Sequence, residues 1–202
     1  PVIGIHAALL PTGTVLYYSF GEAYAAGGHD HGDGEDLLDK DSGYSNAMVW
    51  DPSSGVFDNT LLDTDIFCSG LSLLPNGRLF VTDTTAHQVK VFGPDGALLT
   101  AIGQRGDEDG AFNYPTYLWR DGRGRLYVTD SLNYRVQVFD ADGAFVRKFG
   151  KAGDGTGDFM RQKGVATDTF GHVYIVDGLV SALLIYDEAG RLLLSIGNLG
   201  QS

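Results

Sequence analysis

The sequence predicts an all-β protein, a β-propeller built from four four-stranded antiparallel blades. The first observation is a repeat, because Gly77, Gly124 and Gly171 lie 47 residues apart within the same strand-turn-strand pattern. The second is composition, because 29 glycines and 6 prolines suit many tight turns and few helices. A period in the forties with several strands per period is typical of propeller blades. We therefore expect residues 1–202 to form a single propeller domain.

Each repeat begins with a hairpin, in which a Gly-containing turn joins a strand of small residues to a β-branched or aromatic strand. These inner hairpins cover residues 5–19, 69–83, 116–130 and 163–177. A second hairpin follows, and its turn starts with Asp or Gly and closes with Gly. These outer hairpins cover residues 47–57, 89–102, 136–149 and 183–196. The two hairpins together give each blade its four strands.

The first repeat is longer than the others. Gly13 and Gly77 are 64 residues apart, so about 17 extra residues are inserted, within about 21–46. The insertion is rich in Gly and acidic residues, which predicts a long surface loop. Its His29, His31 and Asp33 could bind a divalent metal, since imidazole and carboxylate groups suit Zn, Ni or Cu. The alternative is that this acidic loop is simply solvated.

Charge excludes two classes of partner. The formal net charge is −12, with 14 Lys and Arg against 26 Asp and Glu. Nucleic acids and anionic membranes are bound chiefly through Lys and Arg. We therefore expect no nucleic-acid partner and no membrane partner. The single Cys68 cannot form an internal disulfide, so the redox compartment stays open.

Three aspartates recur at the end of the second strand of a repeat: Asp83, Asp130 and Asp177. A catalytic site needs only one copy of each residue, so this recurrence indicates a structural role. We expect each carboxylate to cap the turn that follows it.

Residues 83–202 resemble NHL repeats. The resemblance is carried by Gly110–Pro115, Gly124–Asp130 and Asn133–Phe139. It implies a propeller that is usually six-bladed. It also implies binding of proteins, peptides or RNA, with lyases or hydrolases as a minority.

Residues 1–82 resemble instead the kelch propeller of galactose oxidase-like proteins, through residues 6–11, 47–52 and 65–70. That resemblance implies that Cys68 is cross-linked to a copper-binding tyrosine, and Tyr114 lies near the expected offset. The segment around Tyr114 is NHL-like, however. The further copper ligands of the galactose oxidase-like family lie in later blades that this sequence does not contain. We therefore expect no copper and no other cofactor, with Cys68 as a small buried residue. The two families suggest an extracytoplasmic or secreted origin.

Two families in one chain indicate a chimeric or engineered propeller scaffold without catalytic activity, at most a generic binding module. One alternative is a natural NHL-type propeller that binds a protein or peptide, with Tyr114, Tyr117 and Trp119 at one mouth. Another is an enzyme, either a relic of a copper radical oxidase or a lyase-like NHL protein. Four blades can close alone only as the tightest propeller. Because both families form wider rings, we expect instead a homodimer that closes an eight-bladed ring.

Overall fold

A computed structural model describes residues 4–9, 15–19, 46–50, 52–55, 57–58, 70–95 and 97–197. Their regular structure is β-strand, with one 3-10 turn at Ser131–Asn133. Among these residues, the structure contains no helix with the length and apolar character needed to span a membrane. The chain divides into two compact units, Pro1–Phe67 and Cys68–Ser202.

The first unit contains one four-stranded antiparallel sheet, called blade 1. Its strands are β1 Gly4–Leu9, β2 Val15–Ser19, β3 Asn46–Trp50 and β4 Phe57–Asp58. They pair in chain order. Ser19 on β2 pairs with Asn46 on β3, so the two ends of the predicted insertion lie side by side.

The second unit contains three further four-stranded antiparallel sheets, blades 2 to 4. Blade 2 consists of β5 Leu71–Leu73, β6 Leu79–Asp83, β7 Gln88–Phe92 and β8 Leu98–Ile102. Blade 3 consists of β9 Pro115–Arg120, β10 Leu126–Asp130, β11 Arg135–Phe139 and β12 Phe145–Phe149. Blade 4 consists of β13 Gln162–Thr167, β14 Val173–Asp177, β15 Ala182–Tyr186 and β16 Leu192–Ile196. This all-β architecture confirms the predicted β-propeller class.

Blade 3 is buried on both faces, because every residue of β10 and β11 is buried. Side chains alternate between the two faces of a strand. One face of blade 3 packs against blade 2 through Phe80, Val89, Val91, Leu118, Leu126, Val128 and Phe139. The other face packs against blade 4 through Tyr127, Val136, Val138, Phe149, Val173, Ile175, Leu184 and Tyr186. The first strands are innermost, because β9 contacts both β5 and β13.

The loops that join consecutive blades are anchored by a buried aromatic ring. Phe112 lies in the loop before blade 3 and Phe159 in the loop before blade 4, and both are fully buried. Each ring packs over a left-handed glycine, Gly103 or Gly150. A Cβ on Gly150 would lie 2.2 Å from the Phe159 ring, so glycine is required there.

The loop before blade 3 is held by Arg135, on the third strand of that blade. The Arg135 guanidinium donates to the carbonyl oxygens of Asp107, Glu108 and Ala111 at 2.7–2.9 Å. It also donates from Nε to Oδ2 of Asp130 at 2.7 Å. The loop's path is therefore set by the blade that follows it.

The recurring aspartates are structural, as the sequence indicates. The Asp83 carboxylate accepts the N–H of Ala86, and Asp177 accepts those of Leu179 and Val180, so both cap the following turn. Asp130 and Asp177 also hold the loop before their own blade: Asp130 accepts the N–H of Asn113, and Asp177 accepts those of Met160 and Arg161.

Asp130 is also the most constrained carboxylate of blade 3. Burial raises the pKa of its carboxyl, while hydrogen bonds from Asn133, Asn113 and Arg135 act in the opposite direction. Removing one partner of such a buried carboxylate is destabilising, because it leaves the charge less well compensated.

Candidate functional site

The two ends of the blades in the second unit carry different sets of polar and charged residues. The interblade loop before blade 3 enters β9 at Pro115, beside the turn between β10 and β11. The N–H of Ser131 donates to the carbonyl of Tyr114 at 3.2 Å, which ties that turn to the loop. We call this end of the blades the interblade end, and the opposite end the hairpin end.

The structure separates the aromatic residues that the sequence predicts to share one mouth. Tyr117 and Trp119 lie two positions apart on β9, so their side chains share one face of that strand. Trp119 lies near the hairpin end, where its Nε1 donates to Oγ1 of Thr167 on β13 at 2.9 Å. Tyr114 lies beyond the other end of β9, about 16 Å from Trp119 along an extended strand. A binding role for all three residues stays a prediction, but one mouth does not contain them.

A contact between Tyr114 and His87 is the most distinctive feature of the interblade end. His87 lies in the turn between β6 and β7, and its Nδ1 accepts the backbone N–H of Tyr114 at 3.0 Å. Both residues have a left-handed backbone, with φ of 57° and 64°. Non-glycine residues in this region are strained, and such strain is concentrated at functional sites.

That hydrogen bond determines the proton position on neutral His87. A backbone N–H can only donate, so Nδ1 must be the unprotonated ring nitrogen and Nε2 carries the hydrogen. Among the described residues, neither Nε2 of His87 nor the Tyr114 hydroxyl has a hydrogen-bond partner. Each residue therefore has a donor group that no contact in the described part of the chain occupies.

The sequence did not indicate His87 as a site residue. The equivalent turn positions of blades 3 and 4 are Tyr134 and Ser181, which are also left-handed, with φ of 53° and 50°. The turn geometry is thus common to the repeats, and only the imidazole is particular to blade 2. A histidine at this position of the repeat is the one signal that could have shown it.

Hydroxyl groups support the interblade end from within. Oγ1 of Thr116 lies 2.6 Å from Oγ of Ser131 and 3.0 Å from Oγ1 of Thr129. Oγ1 of Thr82 donates to the Thr116 carbonyl at 3.0 Å, and Oγ1 of Thr84 donates to the Pro115 carbonyl at 2.9 Å. This network fixes the start of β9, immediately after Tyr114.

Blade 4 brings cations and an amide to the same end. Arg161 and Lys163 flank the start of β13 and are exposed, and neither has an ion-pair partner among the described residues. Gln162 between them is 2% exposed, and neither amide atom makes a hydrogen bond. An unsatisfied buried amide costs free energy, which a bound water or ligand would recover.

The hairpin end carries a paired arrangement of charges. Asp168 accepts from Nδ1 of His172 at 2.7 Å and from the Tyr174 hydroxyl at 3.0 Å. Asp121 of blade 3 accepts from Nε of Arg125 at 2.7 Å in the equivalent position. Because the arrangement repeats between blades, we assign it a structural role.

The predicted metal ligands His29, His31 and Asp33 lie outside the described residues, as does Cys68. The metal and copper expectations therefore stay predictions. Within the described ranges, no three His, Cys, Asp or Glu side chains are grouped as metal ligands.

Comparisons with known proteins support an NHL-type propeller. Residues 117–201 match a family described as 6-bladed beta-propeller, and residues 66–92 match the NHL repeat. The NHL match thus begins inside the part predicted to be kelch-like, so residues 66–82 are NHL-like, and a chimeric origin stays a prediction. No curated protein sequence matches the chain.

Solved structures with this fold include enzymes. A streptogramin B lyase is 12% identical, with a TM-score of 0.64 over 95% of this chain and 53% of the lyase. The virginiamycin B lyase from Staphylococcus aureus is 13% identical, with a TM-score of 0.62 over 95% of this chain and 54% of that one. A gluconolactonase from Xanthomonas campestris is 17% identical, with a TM-score of 0.58 over 98% and 63% of the two chains.

These similarities correct one expectation. The prediction that the chain is not an enzyme is wrong, because solved propellers with this fold include lyases and a lactonase. At such low identity the likeness shows the fold alone. The chain also spans only about half to two thirds of those structures' lengths, between 53% and 63%.

Proposed function

We propose that this chain is part of an NHL-type propeller that binds a small carboxylate or lactone at the interblade end, beside His87 and Tyr114. The observation that carries the proposal is the 3.0 Å hydrogen bond from the Tyr114 N–H to Nδ1 of His87. It aligns the imidazole and leaves Nε2–H as a donor at an exposed end of the blades.

The chemistry of this end favours a ligand that accepts hydrogen bonds. His87 and Tyr114 offer an N–H and an O–H, and Arg161 and Lys163 offer positive charge. Carboxylate and carbonyl oxygens are the natural partners of such donors, and charge-assisted bonds are the strongest of them.

A lactone-opening or lyase reaction is the second candidate. Nε2–H of His87 would donate to the oxygen on which negative charge develops, as a general acid does. Two observations support the choice: the fixed orientation of the His87 ring, and the lyase and lactonase folds. In the virginiamycin B lyase, a histidine-to-alanine variant is described as catalytically inactive.

The test uses sodium D-gluconate as a binding probe by calorimetry and D-gluconolactone as a substrate probe by pH-stat. The variant is His87→Asn, because asparagine tolerates the left-handed backbone that His87 adopts. The matched control is His172→Asn at the hairpin end. We expect gluconate affinity to fall by about tenfold or more, the loss of one charge-assisted hydrogen bond, in His87→Asn alone.

Two outcomes would contradict the proposal. Equal affinity in His87→Asn and in the unsubstituted chain would place the ligand elsewhere. Binding of an unstructured peptide mixture but not of gluconate would favour the peptide-binding alternative. Lactone hydrolysis that exceeds the spontaneous rate and is lost in His87→Asn would show that the chain is an enzyme and not only a binding protein.

A further inference from the structure

A group of charged residues lies where blade 3 meets blade 4 at the hairpin end. Arg123 and Arg125 belong to the turn between β9 and β10, and Arg147 lies on β12. Glu188 lies in the turn between β15 and β16. We call these four residues the arginine cluster. The cluster is at the opposite end of the blades from His87, so it is independent of the function proposed above.

Arg123 and Arg125 share one oxygen of Glu188. Nη1 of Arg123 donates to Oε1 of Glu188 at 3.0 Å, and Nη1 of Arg125 donates to the same atom. Oε2 of Glu188 makes no hydrogen bond with the described residues. The side chains of Arg123 and Glu188 are 63% and 44% exposed, so solutes can reach the cluster. The carboxylate therefore keeps one oxygen available as an acceptor.

Strand register places Arg147 beside this ion pair. Arg147 on β12 pairs with Val138 on β11, and Val138 pairs with Tyr127 on β10. Directly paired residues project from one face of a sheet, so Arg147 shares the face of blade 3 that packs against blade 4. On that face the Arg125 guanidinium lies 5.7 Å from the centre of the Tyr127 ring. Hydrogen bonding to Arg125 holds the pKa of Glu188 below its ordinary value, and the charge of Arg147 is close enough to add to that effect.

Arg147 has no partner in the described part of the chain. Its Nε and Nη2 are shielded from solvent, and neither makes a hydrogen bond. These two nitrogens form one edge of the planar guanidinium, the edge that binds two oxygens of an anion side by side. A buried cation without a counter-charge is destabilising, and buried N–H groups without acceptors add to the cost. An anion bound along this edge would remove both costs.

The repeat does not explain the cluster. The positions equivalent to Arg123 and Arg147, 47 residues earlier or later, are all uncharged: Asn76, Phe170, Thr100 and Leu194. The position 47 residues before Glu188 is Ala141. Charges that only hold a hairpin would recur with the hairpins, as Asp121 and Asp168 do. The arginine cluster is therefore particular to the junction of blades 3 and 4.

We propose that the arginine cluster binds hydrogen phosphate, with the open edge of Arg147 donating to two of its oxygens. Glu188 selects this anion, because Oε2 can only accept a hydrogen bond. Sulfate and carboxylate ligands also only accept, so Oε2 repels them. Hydrogen phosphate carries an O–H that donates to Oε2. A phosphate monoester loses that hydrogen with a pKa of about 6, so free phosphate fits the cluster better near neutral pH.

The test titrates inorganic phosphate into the chain by calorimetry near neutral pH, with sodium chloride holding the ionic strength constant. Sodium sulfate and phenyl phosphate are titrated in parallel. We expect both to bind about tenfold or more weakly than phosphate, because neither offers the hydrogen that Oε2 of Glu188 accepts. Glu188→Gln should bring sulfate affinity close to phosphate affinity, because an amide can donate as well as accept.

Two substitutions of Arg147 test the donor edge. Arg147→Gln should weaken phosphate binding by about tenfold or more, since the edge is lost. Arg147→Lys should not restore it, because an ammonium group keeps the charge but cannot bind two oxygens side by side. The matched control is Arg191→Gln, which removes a charge at the same end from a residue that pairs with Asp187. This control should change phosphate affinity little.

A signal from the unsubstituted chain gives a second readout. The Nε–H resonance of Arg147 in nitrogen-edited NMR spectra should shift on addition of phosphate and saturate at the calorimetric affinity. No saturable phosphate binding, or equal affinity in Arg147→Gln, would overturn the proposal. A resonance that is hydrogen-bonded before phosphate is added, and does not shift, would assign Arg147 to a direct ion pair with Glu188 instead. Equal affinities for phosphate and sulfate would overturn the selection by Glu188.

Discussion

The backbone N–H of Tyr114 and Nδ1 of His87 are 3.0 Å apart, and this contact joins blade 2 to the loop that enters blade 3. It fixes the ring of His87 against a backbone group that cannot change its protonation. A second histidine, His172, has its Nδ1 at 2.7 Å from Oδ2 of Asp168. The two rings are therefore held by opposite kinds of partner, a donor for His87 and an acceptor for His172.

The first prediction follows from that contrast. Neutral His87 should carry its hydrogen on Nε2, whereas His172 should carry one on Nδ1. Long-range proton–nitrogen correlation spectra distinguish the two tautomers directly. A His87 spectrum with hydrogen on Nδ1 would mean that the Tyr114 contact does not form in solution.

The second prediction concerns Arg135. Arg135→Ala should lower the free energy of unfolding by about 3–5 kcal/mol, because it leaves the buried Asp130 carboxylate without its cation. It also removes three hydrogen bonds to the loop before blade 3. Urea denaturation measures the loss. The control is Arg191→Ala, whose ion pair with Asp187 is on the surface and whose loss should change the unfolding free energy little.

The third prediction concerns the left-handed Gly150. Gly150→Ala should destabilise the protein by about 2–4 kcal/mol, since it adds backbone strain and a clash with the buried Phe159 ring. Gly122→Ala is the matched control, because no atom lies within 4 Å of the position that its Cβ would occupy. Thermal unfolding of the two variants compares them. Equal melting temperatures would show that the loop before blade 4 does not pack as described.

The fourth prediction concerns acid stability. Burial tends to raise the pKa of Asp168, but hydrogen bonds from His172, Tyr174 and Phe170 outweigh it and hold that pKa at about 2. The folded pKa is below the ordinary value of 3.8. The stabilising contribution is therefore present above pH 3.8 and is lost as the pH falls through about 2.

Carbon NMR titration of the Asp168 carboxyl tests this value. Tyr174→Phe removes one of the hydrogen bonds and should raise the midpoint toward the ordinary range. An Asp168 midpoint at its ordinary value in the unsubstituted chain would contradict the described contacts.

The repeat in the sequence was enough to predict the four-stranded sheets. Turn glycines such as Gly124 and Gly171 recur at a fixed spacing, and alternating strands lie between them. The pairing of β10 with β11, from Leu126 with Phe139 to Asp130 with Arg135, follows directly from that pattern. Local chemistry determines each hairpin, so local sequence predicts it.

The candidate site was predicted less well, because it depends on contacts between blades. Tyr114 and Trp119 are close in sequence, and this favoured one shared mouth. An extended strand carries residues five positions apart to opposite ends of a blade. His87 and Tyr114 are 27 residues apart and meet only through the packing of blade 2 against the next loop. No pattern within a single repeat predicts a contact between residues of two different repeats.

Arg135 has one further consequence, for how such a protein changes during evolution. Its guanidinium holds the carbonyls of a loop that precedes its own blade in the chain. A duplication that starts at Pro115 would copy the anchor without the loop it holds. A duplication that starts just after Gly103 would copy both, together with Phe112. The smallest unit whose duplication keeps these contacts intact is therefore a loop followed by the four strands of its blade.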